Sequence, residues 1–442
     1  MTLRQILPLS LLVLSMAACK KEPYETSLCA DTSRIHKSVE KTTEIIVSDI
    51  FSPVVAGRIY AYTNIALYET LRQGNPKYKT LAGQLRDLTE VPAPPKDKSV
   101  DINLAGLHAY MSVAKALIFS EMEMEDHRTA MYADLTAKGL PEDVLEASTA
   151  YGQQVADHIL AWSKTDNYAQ TRSFTKYTVN NEPGRWQPTP PAFIEAVEPH
   201  WREIRALTLD SASQFTPDPP VPFSTEKTSQ FYKLASEVYT AVDSNKEEKM
   251  EIANFWDCNP YVMHQQGHLM MATKKITPGG HWMGIVGLVT RKAGLDMVGT
   301  AEAYAMVSIG LFDGFISCWD EKYRTNVIRP ETYINRYIDP DWEPTLQTPP
   351  FPEYTSGHSV ISSASAVIMT HLFGDNFAFA DSTEVPYQLP VRSFNSFKEA
   401  ANEAAVSRLY GGIHYTPAVY LGVEQGTKIG ELVLAKVNTR KK

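Results

Sequence analysis

Apolar residues recur at helical spacing along most of this chain, and strand-like alternation is scarce. Val144, Ala147, Tyr151, Val155, Ile159 and Trp162 share one face of a helix over 142–163. Ser52 to Arg72 reads as a second helix, with Ser52 as N-cap, Pro53 at the first helical position, and Val55, Ile59, Tyr62 and Ala66 on one face. Residues 103–137 hold one or two helices, with Leu107, Met111, Ala114 and Leu117 aligned. Further helices are expected over 227–242, 246–257, 294–317, 357–372, 396–409 and 416–436, the fifth opened by a capping box, Ser396-x-x-Glu399. Proline clusters at 92–95, 188–191, 217–222 and 349–352 interrupt the pattern. The segment 165–225, with Trp186 and Trp201, reads as a long irregular excursion. The fold class is all-α.

At 442 residues the chain exceeds the usual single-core size. Its expected division is a signal peptide over 1–18, a tether over 19–44, an N-terminal helical half over 45–225 and a C-terminal helical half over 226–442. The start carries Arg4, an apolar run from Ile6 to Leu14, and Met16-Ala17-Ala18-Cys19. The run is too short to span a bilayer as a mature helix. It resembles a bacterial lipoprotein signal, which implies cleavage before Cys19, lipid on its sulfur and a Lys20-Lys21-Glu22-Pro23 tether. The expected location is the bacterial cell envelope, exported and anchored in the periplasm or at the outer membrane, with membrane contact through the lipid alone. Beyond the signal no run of about 20 apolar residues appears. A net charge of −9 argues against a nucleic-acid partner. Cys29, Cys258 and Cys318 remain, and the latter two, set among apolar and aromatic residues, read as buried free thiols. Spacing alone selects no disulfide pair.

Three short motifs in the last third carry the chemistry: Lys322-x6-Arg329-Pro330, Ser356-Gly357-His358 and Ser407-Arg408-x5-His414. They bring three cations, a hydroxyl, a glycine amide and two imidazoles, a set suited to gripping a tetrahedral oxyanion such as phosphate or vanadate. Arg offers forked donors to adjacent oxygens, and Lys acts as a point charge. Pro330 cannot continue a helix ending near Arg329, which aims Arg329 from a helix end into a cavity. Ser356-Gly357-His358 precedes a helical run, where free N–H groups favour anions. Gly411-Gly412 permits a turn that swings His414 back towards Arg408. Singly, each motif reads more readily as solvated cations, a Ser N-cap or a core histidine; their order and coexistence reverse that and point to one pocket.

In this order and spacing the motifs resemble the signature of the superfamily that unites vanadium-dependent haloperoxidases with type 2 phosphatidic acid phosphatases and bacterial acid phosphatases, over roughly residues 300–430. The resemblance implies a haloperoxidase-like fold of two packed helical bundles. It implies vanadate ligated by His414 and held by Lys322, Arg329, Arg408, Ser356 and the Gly357 amide, with His358 as acid–base residue. Lys322, His358 and His414 are thus the expected catalytic residues, and Lys322 would polarise peroxide. Trp319 and Phe351 match aromatic positions near the halide site of chloroperoxidase-type enzymes. The implied function is oxidation of a halide, iodide or bromide, by hydrogen peroxide to hypohalous acid, with an organic acceptor as a further possible substrate. In the phosphatase alternative His414 is the nucleophile and His358 protonates the leaving group; a non-catalytic oxyanion-binding lipoprotein is the third reading. Two departures stand out. Thr355 replaces a usual Pro, and Ala418 replaces the Asp that orients the second histidine in phosphatases, although another carboxylate or carbonyl can serve.

Elsewhere, His264 and His268 are spaced i, i+4, as in helical zinc sites, but without a catalytic Glu between them a pocket-lining or structural role is preferred. Tyr261 and His281 are candidates for the pocket mouth. The acidic run Glu121 to Asp126 reads as a solvated helix face.

Overall fold

The computed structural model describes residues 26–243, 246–266 and 268–441. The signal segment and Cys19 lie outside the described residues. Fourteen α-helices follow in chain order among the described residues: α1 Ser33–Ser48, α2 Pro53–Leu71, α3 Ile102–Leu117, α4 Glu121–Ala137, α5 Glu142–Ser163, α6 Tyr168–Thr171, α7 Gln230–Asp243, α8 Lys246–Phe255, α9 Pro278–Ala293, α10 Met297–Thr325, α11 Pro330–Tyr337, α12 Gly357–Phe373, α13 Phe397–Tyr410 and α14 Thr416–Lys436. Two short antiparallel hairpins complete the fold. In one, β1 (Val262–Gln266) pairs with β2 (Leu269–Thr273), Val262 opposite Thr273. In the other, β3 (Phe379–Asp381) pairs with β4 (Arg392–Phe394).

Local chemistry accounts for most helix starts. Ser52 accepts the Val55 amide at the head of α2, with Pro53 in the first turn, where its missing N–H costs nothing. Ser396 caps α13 by accepting from the Glu399 amide, and Glu399 reaches back to the Asn395 amide. The stretch 103–137 divides into two helices at Ile118–Ser120, where Asp49 accepts the Phe119 and Ser120 amides.

The centre is α10, packed against α2 and α12. It is long and apolar enough to cross a membrane by composition, yet its residues from Met297 to Lys322 are buried inside the protein. All residues of α2 are buried as well. The main apolar core draws on Cys29 at one end of the described chain and Val437 at the other. A division at residue 225 therefore does not separate two cores. The expected tether ends earlier than residue 44: from Ser33 the chain is helical, and Arg34, Ile35 and Val39 are buried against α3, α4 and α9. Four helices were not foreseen: α1, the short α6, α9 and α11. The first turn of α9, Pro278-Gly279-Gly280, has loop-like composition but is capped by Thr277. Pro330 opens α11 instead of ending a helix; the preceding helix stops at Thr325, and Arg329 is the N-cap residue of α11.

The irregular excursion is strapped to the bundle. Asp313 of α10, fully buried, accepts the amides of Leu207, Thr208 and Leu209 at 2.7, 2.6 and 3.1 Å. Arg58 of α2 pairs with buried Asp166 at 2.7 Å. The Val197 carbonyl accepts from Trp319 Nε1 at 3.2 Å and from the Tyr323 hydroxyl at 2.6 Å, so the loop sets one wall of the site. Cys258 and Cys318 are buried free thiols, as expected, and Cys29 is buried as well.

Candidate active site

Where α10, the loop 349–356, the start of α12 and the turn between α13 and α14 converge, the three motifs meet. A small cleft is lined by Trp319, Phe351, Gly357, His358, Arg408 and His414, together with Cys258, Asn259 and several prolines. Close helix contact makes this convergence possible. Gly422 and Gly426 of α14 lie against Ser356 and Val360 of α12, and a Cβ at Gly426 would fall 2.0 Å from the Val360 carbonyl oxygen.

His414 is 3 % exposed. Its Nδ1 donates to Glu353 Oε1 at 2.8 Å, and the same oxygen accepts the Tyr415 amide at 2.9 Å. That bond assigns the Nδ1–H tautomer and leaves the Nε2 lone pair to accept from Arg329 Nη1 at 3.1 Å. Burial first, then Arg329, Lys322 and Arg408, hold the His414 pKa well below the usual imidazole range, so it is neutral and able to ligate. His358 is held in the same tautomer. It bonds the Trp256 carbonyl, its Nε2 is buried without a partner, and burial, then Arg408 and His281, depress its pKa.

Arg329 is fully buried at the end of the loop before α11. Its Nε donates to the Phe351 carbonyl at 2.9 Å and Nη1 to the Ile413 carbonyl at 2.8 Å, while Nη2 has no partner. Arg408 is held by Ser407 Oγ through Nε and by the Ala253 and Trp256 carbonyls through Nη2. Lys322 is buried beside the cleft. Its three donors go to the carbonyls of Pro352, Glu353 and Thr355 at 3.0, 3.1 and 2.5 Å. It therefore organises the loop that carries Ser356 and contributes its charge from behind it. Burial lowers the Lys322 pKa to about 8 and that of Arg329 to about 10.

Ser356 caps α12, its Oγ accepting the Ser359 amide at 3.3 Å. A Cβ at Gly357 would meet only Trp319, at 3.7 Å, so the missing side chain leaves open space at the helix start. The Trp319 and Phe351 rings, 4.9 Å apart and both buried, form the apolar wall. Thr355 bonds Gln425 Oε1 at 2.7 Å, which gives the hydroxyl at this position a partner.

Glu353 lies among these cations, its pKa raised to about 7 chiefly by burial and opposed by Arg329, while Asp257 acts on Arg408 and Glu331 on Arg329. Burying unpaired charge is costly. The orphan Arg329 Nη2, the unpartnered His358 Nε2, the His414 Nε2 lone pair beside Arg329 and the open space at Gly357 together fit a tetrahedral oxyanion. Glu353 is the carboxylate that sequence reasoning did not identify; it stands five residues before His358, not four after His414. Ala418 is buried, and its carbonyl accepts the Ser356 amide at 3.0 Å.

Across 96 % of its length the chain is similar to the whole of a crystallised bacterial vanadium-dependent iodoperoxidase, at 50 % identity and a TM-score of 0.90. The chain belongs to the vanadium-dependent haloperoxidase family. Residues 336–441 match the family model described as the VCPO second helical-bundle domain. The holo and apo structures of a bacterial vanadium-dependent chloroperoxidase align over 88 % and 87 % of this chain, and over 93 % and 94 % of those chains, with TM-scores of 0.67 and 0.68; at 18 % identity they speak for the fold alone. No curated protein sequence matches. In this haloperoxidase, the other sequence candidates fall away from the cleft. His264 lies on β1, exposed and bonded to Thr273 Oγ1 at 2.9 Å, and His268 is in the turn, so the helical zinc spacing does not exist. His281 is buried behind Trp256, on which it stacks at 4.5 Å, and does not line the mouth. Tyr261 flanks the cleft residues Asn259 and Pro260 but does not line the cleft itself. The acidic run opens α4, where Glu123 pairs with Lys41 and Glu125 with Lys115.

Proposed function

We propose that this haloperoxidase uses vanadate in the Arg329–Arg408–His414 cleft to oxidise iodide with hydrogen peroxide, releasing hypoiodous acid. The observation that carries this reading is the pair of neutral imidazoles, each with Nδ1 tied to a protein acceptor, His358 Nε2 without a partner and His414 Nε2 facing Arg329, set among three buried cations. Bound vanadate supplies a Lewis acid that activates peroxide towards a halide. The protein supplies the rest. His414 offers its Nε2 lone pair as ligand, and Glu353 holds the ring in that tautomer. Arg329, Arg408 and the amide and hydroxyl at the start of α12 would hold the oxygens of the oxyanion. Lys322 adds charge through the loop. His358 takes and returns a proton at Nε2, because its Nδ1 is committed to Trp256. Trp319 and Phe351 exclude water and receive a large, weakly hydrated halide.

Iodide is favoured because it is the halide easiest to oxidise and because the half-identical relative is an iodoperoxidase. We further propose export and anchoring through Cys19, which the signal-like start supports and which keeps a hypohalous-acid producer outside the cytoplasm. The test of the reaction is reconstitution with vanadate, followed by parallel assays of iodide, bromide and p-nitrophenyl phosphate. Iodide oxidation dependent on both vanadate and peroxide is the expected result. Phosphate ester hydrolysis without any halide oxidation would assign the pocket to phosphoryl transfer, and binding without either activity to an oxyanion carrier. Globomycin-sensitive processing and loss of membrane association in Cys19→Ser test the anchor.

A further inference from the structure

A second cluster lies behind Trp256, and the proposed reaction does not use it. His281 sits in the first turn of α9 and is wholly buried. Its Nδ1 is 3.0 Å from Glu384 Oε1 and 3.5 Å from Cys258 Sγ, and Sγ is 3.8 Å from the same carboxylate oxygen. The three atoms come from three separate segments: the loop after α8, the start of α9 and the turn after β3. Around one tetrahedral ion with metal–N and metal–O bonds near 2.0 Å and a metal–S bond near 2.3 Å, ligand atoms stand about 3.3–3.6 Å apart. The observed triangle matches that to within a few tenths of an ångström.

The ring's other nitrogen supports the same reading. His281 Nε2 lies 2.8 Å from Asp381 Oδ2, and Asp381 Oδ1 accepts the Thr383 amide and hydroxyl at 3.0 and 2.6 Å. A carboxylate behind a ligating imidazole, itself held by further hydrogen bonds, is the usual support of a metal-bound histidine. One thiolate, one imidazole and one carboxylate suit a borderline-soft divalent ion, zinc foremost.

We propose that Cys258, His281 and Glu384 form a buried zinc-class site that adjoins the oxyanion cleft through Cys258. The ion takes the place of the Sγ proton and of the proton between Nδ1 and Glu384. It braces the cleft from behind, since the Trp256 ring stacks on His281 while the Trp256 carbonyl accepts from Arg408 at 2.7 Å. Cys258 also lines the cleft, which makes it the one ligand shared by both environments.

The experiment strips the full chain with a chelator, loads it with Zn²⁺ or Co²⁺, dialyses it and counts metal per chain. We expect about one ion per chain, and for Co²⁺ a thiolate-to-metal charge-transfer band with tetrahedral visible bands. Cys258→Ala should abolish that band, and Asp381→Asn should weaken affinity by about 10- to 100-fold. Cys318→Ala should leave the spectrum unchanged. If Cys258→Ala does not fold, Glu384→Gln and the wild-type spectrum decide. A wild-type chain that retains no metal, or metal held without a thiolate band, as surface histidines would hold it, overturns the proposal.

Discussion

Replacing Glu353 by Gln separates two roles that the carboxylate combines. The Gln carbonyl can still accept the His414 and Tyr415 N–H groups that Glu353 Oε1 accepts at 2.8 and 2.9 Å, so the local geometry has no reason to collapse. What is lost is the charge. In the folded, ligand-free protein, burial raises the Glu353 pKa from 4.5 to about 7. A raised folded pKa means that the ionised form is disfavoured by folding: the stability associated with the protonated group is complete below pH 4.5 and disappears as pH rises through about 7. At about 1.4 kcal/mol per pH unit the swing comes to about 3 kcal/mol. Glu353→Gln does not titrate, so its unfolding free energy relative to wild type should improve by about that amount between pH 4.5 and 7.5. Urea unfolding of both apo proteins at the two pH values measures it. Vanadate affinity should move the other way, falling about 10- to 100-fold at pH 7.5, because the carboxylate that polarises the ligating imidazole is gone. A stability difference that does not change with pH would refute the burial argument. Unchanged vanadate affinity would refute the role given to the Glu353–His414 pair.

Three further perturbations test the site and its frame. His414→Ala should bring halide oxidation and vanadate binding to background while far-UV circular dichroism stays native; retained activity would show that the ligand is another residue. Gly357→Ala should leave apo stability within about 0.5 kcal/mol of wild type, since the new methyl meets only Trp319 at 3.7 Å, yet reduce vanadate affinity by placing a methyl group where the oxyanion sits, as equilibrium titration would show. Gly426→Ala drives a Cβ to 2.0 Å from the Val360 carbonyl, so α12 and α14 must part; a loss of about 1–3 kcal/mol in chemical unfolding and a parallel loss of vanadate affinity are expected.

Helices whose apolar faces repeat cleanly, such as α5, were legible from spacing, because burial of one stripe is what makes them helices at all. Those that were not legible owe their existence to contacts. The first turn of α9 carries Gly280 because Tyr60 and Ile276 leave no room for a Cβ there, and that crowding is tertiary information. Pro330 illustrates a local ambiguity: fixed φ serves equally to end one helix or to begin the next, and only the Asn326 turn, at φ 53°, decides. The motif residues were legible as a set because oxyanion chemistry demands cations, amides and imidazoles together. Their division of labour was not. Lys322 sits at the expected place, but its donors are taken by the carbonyls of 352, 353 and 355, a loop whose path no spacing rule encodes.

Glu353 changes how the chemistry is argued. Ala418 weakens a phosphatase reading only if nothing else orients His414. The structure supplies that orientation from the other side, so a nucleophilic His414 would be as well supported as a ligating one. The choice between them therefore rests elsewhere. A phosphohistidine route needs a water path to the histidine and a polar exit for the leaving alcohol. The cleft instead presents the Trp319 and Phe351 faces, which also lie against the Lys322 ammonium at 5.8 and 5.1 Å. Those rings make attack by water difficult and approach by a soft anion easy. Together with half-identity to an iodoperoxidase over nearly the whole chain, this wall, and not the missing Asp, is what inclines one oxyanion grip towards halide oxidation.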